Sequence, residues 1–178
     1  MKEGRLTRGC IQVYTGDGKG KTTCALGLSL RAVGQGLKVF FLQFLKGQDT
    51  GELAAAARLA PDFTIRTFGR VGLVNLKAPA PRDRELARQA LELAKEIILA
   101  GRHDVVVLDE INVALAYGLV PLEEVLELLK NRPPRVEVVL TGRGAPPELV
   151  ELADLVTEMR PVKHYWEVGV TARRGIEW

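Results

Sequence analysis

The glycine-rich segment at residues 15–24, TGDGKGKTTC, constrains the fold more than any other part of the chain. It follows a short apolar run, CIQVY, and precedes a helical pattern, ALGLSLRAV. A turn of this kind between a strand and a helix aims several backbone N–H groups at one point, and the helix N-terminus adds about half a positive charge there. Glycine permits the positive φ angles and the close approach of an anion that such a turn needs. The segment therefore predicts a cradle for a polyphosphate.

The residues of this segment follow a P-loop motif, GxxxxGK followed by serine or threonine, with one irregularity. When residues 20–22 are aligned with the end of the motif, Thr15 takes the place of its first glycine and Gly16 comes one position late. In such loops the lysine reaches phosphate oxygens and the next hydroxyl can bind Mg²⁺. A glycine-rich hairpin or flexible turn is the alternative, which the position between a strand and a helix disfavours. The predicted nucleotide-binding residues are Gly16, Asp17, Gly18, Lys19, Gly20, Lys21, Thr22 and Thr23.

Apolar runs alternate with helical patterns along the rest of the chain. The runs KVFFLQF and DVVVLDE are continuous and rich in β-branched and aromatic residues, which is typical of strands buried on both faces of a parallel sheet. Strand, helix, strand, helix is the order of a three-layer α/β fold. We predict strands at residues 10–14, 38–44, 63–68, 104–108, 136–140 and 155–158, and helices at residues 22–35, 82–100, 121–130 and 147–153.

The length of 178 residues favours a single domain over residues 1–178, because one core can grow to about 250 residues. Two connections, residues 46–58 and 69–81, are longer than ordinary loops, and long loops in a compact domain are usually functional or mobile. Together with the glycine-rich segment, the pattern predicts an α/β fold of the P-loop NTPase (RecA-like) type, with three layers and a mainly parallel central sheet.

Two further strand ends carry candidate site residues. DVVVLDE ends with Asp109 and Glu110, and in P-loop proteins a carboxylate at such a strand end binds Mg²⁺ directly or through water. VEVVLTGRG places Arg143 just after another strand, where its guanidinium fork suits a phosphate or a carboxylate. A surface arginine after a turn is the alternative for Arg143. Because open α/β sheets bind ligands at the carboxyl ends of their strands, we expect these side chains near the glycine-rich segment.

Composition argues against several other classes of protein. The net charge of +3 is mild, and no clustered basic stripe indicates a nucleic-acid surface. Cys10 and Cys24 are the only cysteines and cannot form a disulfide framework or a four-ligand zinc site, so we predict a reducing, cytoplasmic location with both side chains in the core. No run of about 18 apolar residues indicates a membrane span.

Motifs for a side-chain nucleophile are also missing. His103 and His164, the only histidines, are not associated with a motif such as GxSxG. No NKxD-like segment for guanine is present, which favours ATP over GTP as the nucleotide. The residues considered so far leave the reaction itself open.

Six stretches of the sequence resemble the family of P-loop corrinoid adenosyltransferases, and together they span nearly the whole chain. They are YTGDGKGKTTCALG, RAVGQGLKVFFLQFLKG followed by GE, VVVLDEINVALAYGLVPLEEV, LTGRGAP, ELADLVTEM and RPVKHYWEVGVTARRGIEW. The loop form TGxGKGKTT is that family's own, so the late first glycine supports the resemblance. The resemblance implies transfer of the 5′-deoxyadenosyl group of ATP to the reduced cobalt of a corrinoid, with release of triphosphate.

The resemblance further implies roles for individual residues. Lys21 would neutralise the triphosphate and Arg143 would contact a phosphate, so these two and Glu110 would act in catalysis, with Arg143 also among the nucleotide-binding residues. The Mg²⁺ ligands would come from Thr22, Asp109 and Glu110. The residues of the stretch similar to the family's QFxKG would lie near the site, and they are Gln43, Phe44 and Lys46. Because the reduced cobalt is itself the nucleophile, no side-chain nucleophile is needed.

The partners that the resemblance implies are ATP, Mg²⁺, a reduced corrinoid, a reductase that supplies cob(I) and a second copy in a homodimer, with no nucleic acid and no membrane. Two alternatives stay open. One is another P-loop ATPase or phosphotransferase, with Asp17 or Glu110 as the base. The other is a non-catalytic carrier of a nucleotide or corrinoid.

One stretch departs from the family pattern. In better-known members the loop that matches residues 69–75 carries aromatic residues, in a GFTW-like run, that help to remove the lower axial ligand of cobalt. Here the run is GRVGLVN. Either Phe68, Leu73 or Val74 supplies the apolar contact, or the corrinoid is bound differently.

Overall fold

Six parallel strands form the central sheet of the computed structural model, which describes residues 5–72 and 74–178. Across the sheet the strands lie in the order β3-β2-β4-β5-β1-β6, and all neighbours are parallel. This arrangement confirms the predicted α/β class, and the predicted strand bounds agree with the observed ones to within one residue. The strands are β1 (Ile11–Thr15), β2 (Val39–Phe44), β3 (Phe63–Phe68), β4 (Val105–Asp109), β5 (Glu137–Thr141) and β6 (Leu155–Glu158).

Helices cover both faces of the sheet. They are α1 (Lys21–Gly34), α2 (Gly51–Arg58), α3 (Pro81–Ala100), α4 (Ile111–Ala116), α5 (Leu122–Lys130) and α6 (Pro147–Leu152). One apolar cluster joins the sheet to α3, α4, α5 and α6, and a second joins it to α1 and α2. In β2, Phe40 and Leu42 belong to the first cluster while Val39 and Phe41 belong to the second. Burial on both faces explains why the run KVFFLQF does not alternate in polarity.

Two helices were not predicted. Residues 46–58 were expected to be a loop, but α2 begins at Gly51 and buries only Ala56, so its run of alanines has no clear apolar stripe. α4 follows β4 after one residue, Glu110, whose left-handed φ of 64° makes the turn without a glycine or proline to mark it. The described residues of this second long connection, 69–72 and 74–80, contain no strand, and α3 begins only at Pro81.

The prediction that both cysteines are buried is wrong for Cys24. Its side chain is exposed, and that of Cys10 is partly buried. On α1 the buried positions are Lys21, Ala25, Ser29 and Ala32, and Cys24 lies outside this row. No helix in the described part of the chain combines the length and apolarity that crossing a membrane requires.

Candidate functional site

The glycine-rich turn, residues 16–20, connects the carboxyl end of β1 to α1. Gly16 has a φ of 89° and Gly20 a φ of 122°, conformations that glycine adopts more readily than other residues. A Cβ atom on Gly18 would lie 2.7 Å from the carbonyl oxygen of Met159, which is too close for a side chain. The backbone itself therefore requires glycine at these three positions.

The start of α1 presents positive charge to the inside of this turn. In the described structure no side chain caps the helix, and its first turn contains no acidic residue, so its amides remain suited to an anion. The Lys21 ammonium lies within the curve of the turn and donates to the carbonyl oxygens of Gly16, at 2.6 Å, and Gly18, at 2.7 Å. Burial lowers the pKa of Lys21, and the negative charge of Glu110 offsets only part of this effect.

The end of β6 supports the turn from the side. The Gly18 amide donates to the Met159 carbonyl oxygen at 2.7 Å, and the Met159 amide donates to the Thr15 carbonyl oxygen at 2.8 Å. Sequence reasoning missed this support, because nothing in the run ELADLVTEM indicates contact with a turn about 140 residues away.

The fully buried carboxylate of Asp109, at the end of β4, joins four side chains. Its Oδ1 accepts hydrogen bonds from Thr141 Oγ1 at 2.6 Å and Thr22 Oγ1 at 2.9 Å. Its Oδ2 accepts from Lys46 Nζ at 2.7 Å and Gln43 Nε2 at 3.3 Å. The carboxylate therefore anchors the first turn of α1 and the carboxyl ends of β2 and β5 at one point.

Lys46 places a second ammonium beside the start of α1. Its Nζ lies 2.7 Å from Asp109 Oδ2 and 3.3 Å from Thr22 Oγ1. Burial acts to lower the pKa of Lys46, but the carboxylates of Asp109, Glu110 and Glu52 together outweigh burial, and the pKa is raised. The preceding residue, Leu45, has a left-handed φ of 61°, a conformation that costs about 1–3 kcal/mol for a non-glycine residue and is concentrated at functional sites.

Gln43 and Phe44, which were also predicted to lie near the site, have different surroundings from those of Lys46. Gln43 is buried, contacts Asp109 and donates to Glu52 Oε1 at 3.2 Å. Phe44 belongs to the apolar cluster beneath α3. The stretch thus brings Gln43 and Lys46 to the site, and the Phe44 side chain into the core.

Glu110 follows Asp109 and lines the cleft above the glycine-rich turn. Its amide donates to Thr141 Oγ1 at 3.0 Å, which fixes the backbone in its left-handed conformation. Burial raises the pKa of Glu110, and the neighbouring Asp109 charge raises it further, while Lys46 and Lys21 lower it. Ionisation of Glu110 therefore lowers the stability of the folded protein.

We expect Glu110→Gln to raise the melting temperature at about pH 8, because the amide removes a charge that partial burial disfavours. The pKa of Glu110 in the folded protein lies above the ordinary value of 4.5. Below pH 4.5 Glu110 is therefore protonated in both the folded and the unfolded wild type, so the melting temperatures of the wild type and the variant should converge. The difference between the two melting temperatures should increase as the pH rises through the pKa of Glu110 in the folded protein. Thermal unfolding over a pH series measures it, and a less stable variant at pH 8 would contradict the assignment.

Arg143 lines the cleft from the loop after β5. Asn112 Nδ2 donates to the Gly142 carbonyl oxygen at 3.1 Å and holds this loop in place. Arg143 Nε lies 3.9 Å from Asp17 Oδ1, and both side chains are mostly exposed. An exposed ion pair of this length contributes little, so the guanidinium is able to turn towards an anion in the cleft.

These residues line one cleft of about 1160 Å³. The glycine-rich turn, the start of α1, Lys46, Glu110 and Arg143 form its charged part. Asp109 lies behind this lining, and Val74 and Leu76 from the long loop face the cleft. Leu73 lies outside the described residues. The predicted site residues are therefore brought together, with Asp109 as support behind them.

Residues 161–178 supply a further part of the lining, which sequence reasoning did not predict. The contributing side chains include His164, Tyr165, Trp166, Ile176 and Trp178. The resemblance had included this stretch, but only as a matching motif without a structural role.

Comparison with known proteins agrees with the motifs. Residues 7–178 match the family model described as ATP:corrinoid adenosyltransferase BtuR/CobO/CobP. A corrinoid adenosyltransferase of Escherichia coli strain K12 is 40% identical over 172 residues, 96% of this chain and 86% of the relative. One from Pseudomonas aeruginosa is 39% identical over 179 residues, 100% of this chain and 88% of the relative.

A solved structure supports the fold alone. The flagellar accessory protein FlaH from Methanocaldococcus jannaschii superposes with a TM-score of 0.60 at 11% identity, over 86% of this chain and 72% of that protein. Its P-loop NTPase-like fold agrees with the predicted three-layer architecture.

Proposed function

Because this chain belongs to the family of ATP:corrinoid adenosyltransferases and catalyses the ATP-dependent adenosylation of a corrinoid, we propose that its glycine-rich turn holds the triphosphate of ATP. The observation that carries this proposal is the Lys21 ammonium inside the curve of the turn, at the uncapped start of α1. Amides and an ammonium in this arrangement bind a polyphosphate through charge-assisted hydrogen bonds. The carbonyl contacts of Lys21 hold its side chain in place beside the anion.

The proposed reaction is a displacement at the 5′ carbon of the ATP ribose. The reduced cobalt of the corrinoid supplies the electron pair for the new cobalt–carbon bond, and the bond from that carbon to the α-phosphate oxygen breaks. Its electrons leave with inorganic triphosphate. The protein binds both substrates in line and stabilises the charge on the leaving group.

Two side chains beside the glycine-rich turn fit a Mg²⁺ ion that accompanies the triphosphate. Thr22 offers a hydroxyl and Glu110 a carboxylate, oxygen ligands of the kind that Mg²⁺ prefers. No group of three or more His, Cys, Asp or Glu side chains in the described ranges is arranged to hold a metal ion, which suits an ion held largely by phosphates and water. The ion would neutralise charge on the leaving triphosphate.

The proposed role of Asp109 is to position other side chains, and not to bind the Mg²⁺ ion directly. Each of its oxygens already accepts two hydrogen bonds, so we propose that it orients Thr22 towards the ion and holds Lys46 beside the phosphates. Lys46 then adds to the charge supplied by Lys21. Arg143 would close the exposed rim of the polyphosphate, where its fork binds two oxygens.

Product analysis tests this function. The protein would be incubated anaerobically with ATP, Mg²⁺ and chemically reduced cobalamin or cobinamide. We expect the visible spectrum of an alkylated corrinoid, one triphosphate for each corrinoid consumed, and negligible ATP consumption without it. Orthophosphate as the main product would favour an ATPase or phosphotransferase, and tight ATP binding without turnover would favour a carrier.

The enzyme also needs a source of reduced cobalt. We propose a cytoplasmic homodimer supplied by a reductase, since cobalt must arrive in its reduced form. Both cysteines are free thiols, which suits a reducing compartment. Light scattering of the purified protein would test the dimer.

A further inference from the structure

Asn112, the second residue of α4, is fully buried and does not line the cleft. Its Nδ2 donates to the Gly142 carbonyl oxygen at 3.1 Å and lies 3.5 Å from the carbonyl oxygen of Tyr14. Its Oδ1 is buried without a hydrogen-bond partner among the described residues. Because a buried polar atom without a partner destabilises a fold, the stability of the core alone does not account for an amide at this position.

The two carbonyl groups that face this amide lie at the carboxyl ends of two neighbouring strands. Tyr14 is the last residue but one of β1, which leads into the glycine-rich turn. Gly142 directly follows β5 and precedes Arg143. The Gly142 amide also donates to the Tyr14 carbonyl oxygen, at 3.1 Å. Asn112 therefore joins the strand end that leads to the glycine-rich turn with the strand end that leads to Arg143.

The backbone at Gly142 passes close to the start of α4. Gly142 has a φ of 129°, and a Cβ atom there would lie 3.1 Å from both the Cβ atom of Asn112 and the amide nitrogen of Val113. The side chain of the next residue, Arg143, is mostly exposed, and its 3.9 Å ion pair with Asp17 does little to hold it. The reach of the guanidinium therefore depends on where the backbone of this loop is held.

We propose that Asn112 is a positioning residue, which sets the distance between Arg143 and the glycine-rich turn. This inference rests on the proposed function, in which the turn and Arg143 bind the same triphosphate. The two loops can bind one polyphosphate together only when their separation is fixed before the ligand arrives, and a misplacement of about 1 Å can reduce a rate about a hundredfold. The buried amide fixes this separation through the carbonyl groups of Gly142 and Tyr14.

Calorimetric titration with ATP and Mg²⁺ tests this role without turnover. Asn112→Leu keeps the approximate size of the side chain and removes its hydrogen bonds, and we expect it to weaken ATP binding about tenfold, which corresponds to about 1.4 kcal/mol. The melting temperature should stay close to that of the wild type, because removal of the unpartnered Oδ1 offsets the lost hydrogen bond. Asn112→Ala, which leaves a smaller side chain, provides the same comparison if the leucine does not fit.

A double-mutant cycle separates positioning from a general effect on the fold. Arg143→Ala should weaken ATP binding about tenfold in the wild type but no more than about twofold in Asn112→Leu, where the guanidinium is already misplaced. Lys21→Ala should weaken binding by the same factor in both backgrounds, because the carbonyl oxygens of Gly16 and Gly18 hold this ammonium within the turn itself.

Ser29→Ala is the matched control, because Ser29 is also fully buried, donates to a carbonyl oxygen, that of Ala25, at 2.8 Å, and does not line the cleft. Its ATP affinity should be unchanged. Unchanged ATP affinity in both Asn112 variants would overturn the inference, as would additive losses with Arg143→Ala or equal coupling to Lys21, and the proposed function would remain. Failure of Lys21→Ala and Arg143→Ala to weaken ATP binding in the wild type would instead overturn the proposed triphosphate site, and the inference with it.

Discussion

Lys21→Ala is expected to reduce kcat/KM for adenosyl transfer about a hundredfold, which corresponds to a loss of about 3 kcal/mol of transition-state stabilisation. The leaving triphosphate gains charge as the carbon–oxygen bond breaks, and the Lys21 ammonium is fixed by Gly16 and Gly18 where that charge develops. Steady-state rates with excess reduced corrinoid and varied ATP measure the effect. Folding should not suffer, because burial lowers the pKa of Lys21 and the alanine removes a buried charge.

Lys19→Ala is the matched control for this prediction. Lys19 lies in the same turn, but its side chain is exposed and its proposed contribution is a backbone amide, which alanine retains. We expect a loss of no more than about threefold, typical of an exposed charge. Equal losses in the two variants would show that total charge near the turn matters more than the fixed position of Lys21. Near wild-type turnover in Lys21→Ala would refute its role.

The charged part of the cleft was predictable from sequence because its signals are local. The glycines before Lys21 mark a turn wherever they occur between a strand and a helix, and the apolar run before Asp109 places that residue at a strand end. Parallel strands of similar length bring these ends to one edge of the sheet, so the expected proximity of Thr22, Asp109 and Glu110 followed from topology.

The supporting contacts were not predictable because they join residues far apart in the sequence. The carbonyl of Met159 meets Gly18 only through the pairing of β1 with β6. Lys46 reaches Asp109 because Leu45 adopts a left-handed backbone conformation that a leucine does not signal. The C-terminal tryptophans had no periodicity that would assign them to a helix or strand, so only the folded chain relates them to the turn.

A further large effect is expected on stability: Asp109→Ala should lower the free energy of unfolding by about 3 kcal/mol. The substitution leaves Lys46 without its carboxylate, and Thr22 and Thr141 each without an acceptor. Removing one partner of a buried ion pair costs about 3–5 kcal/mol. The lower end applies here because the Lys46 side chain is 29% exposed and water offsets part of the loss. Urea unfolding with an unchanged m-value would measure it.

A double-mutant cycle separates the ion pair from the hydrogen bonds of the hydroxyls. Lys46→Met removes the ammonium, so Asp109→Ala should cost about 1–2 kcal/mol less in that background than in the wild type. If the losses of stability in the two single variants simply add in the double variant, the Lys46–Asp109 ion pair contributes no coupling energy. The anchoring role of Asp109 would then rest on its hydrogen bonds with Thr22, Thr141 and Gln43.

Asp83→Ala distinguishes loss of the site from loss of stability. Asp83 is also a buried carboxylate, paired with Arg70 at 2.6 Å and bonded to the Ala80 amide at 3.0 Å, but neither it nor Arg70 lines the cleft. Both aspartate variants should lose stability, whereas only Asp109→Ala should weaken Mg²⁺–ATP binding, by about tenfold, since only Asp109 orients Thr22. If Asp83→Ala weakened binding equally, the effect would come from general loosening of the fold, because the two carboxylates share burial but not their contacts with the start of α1.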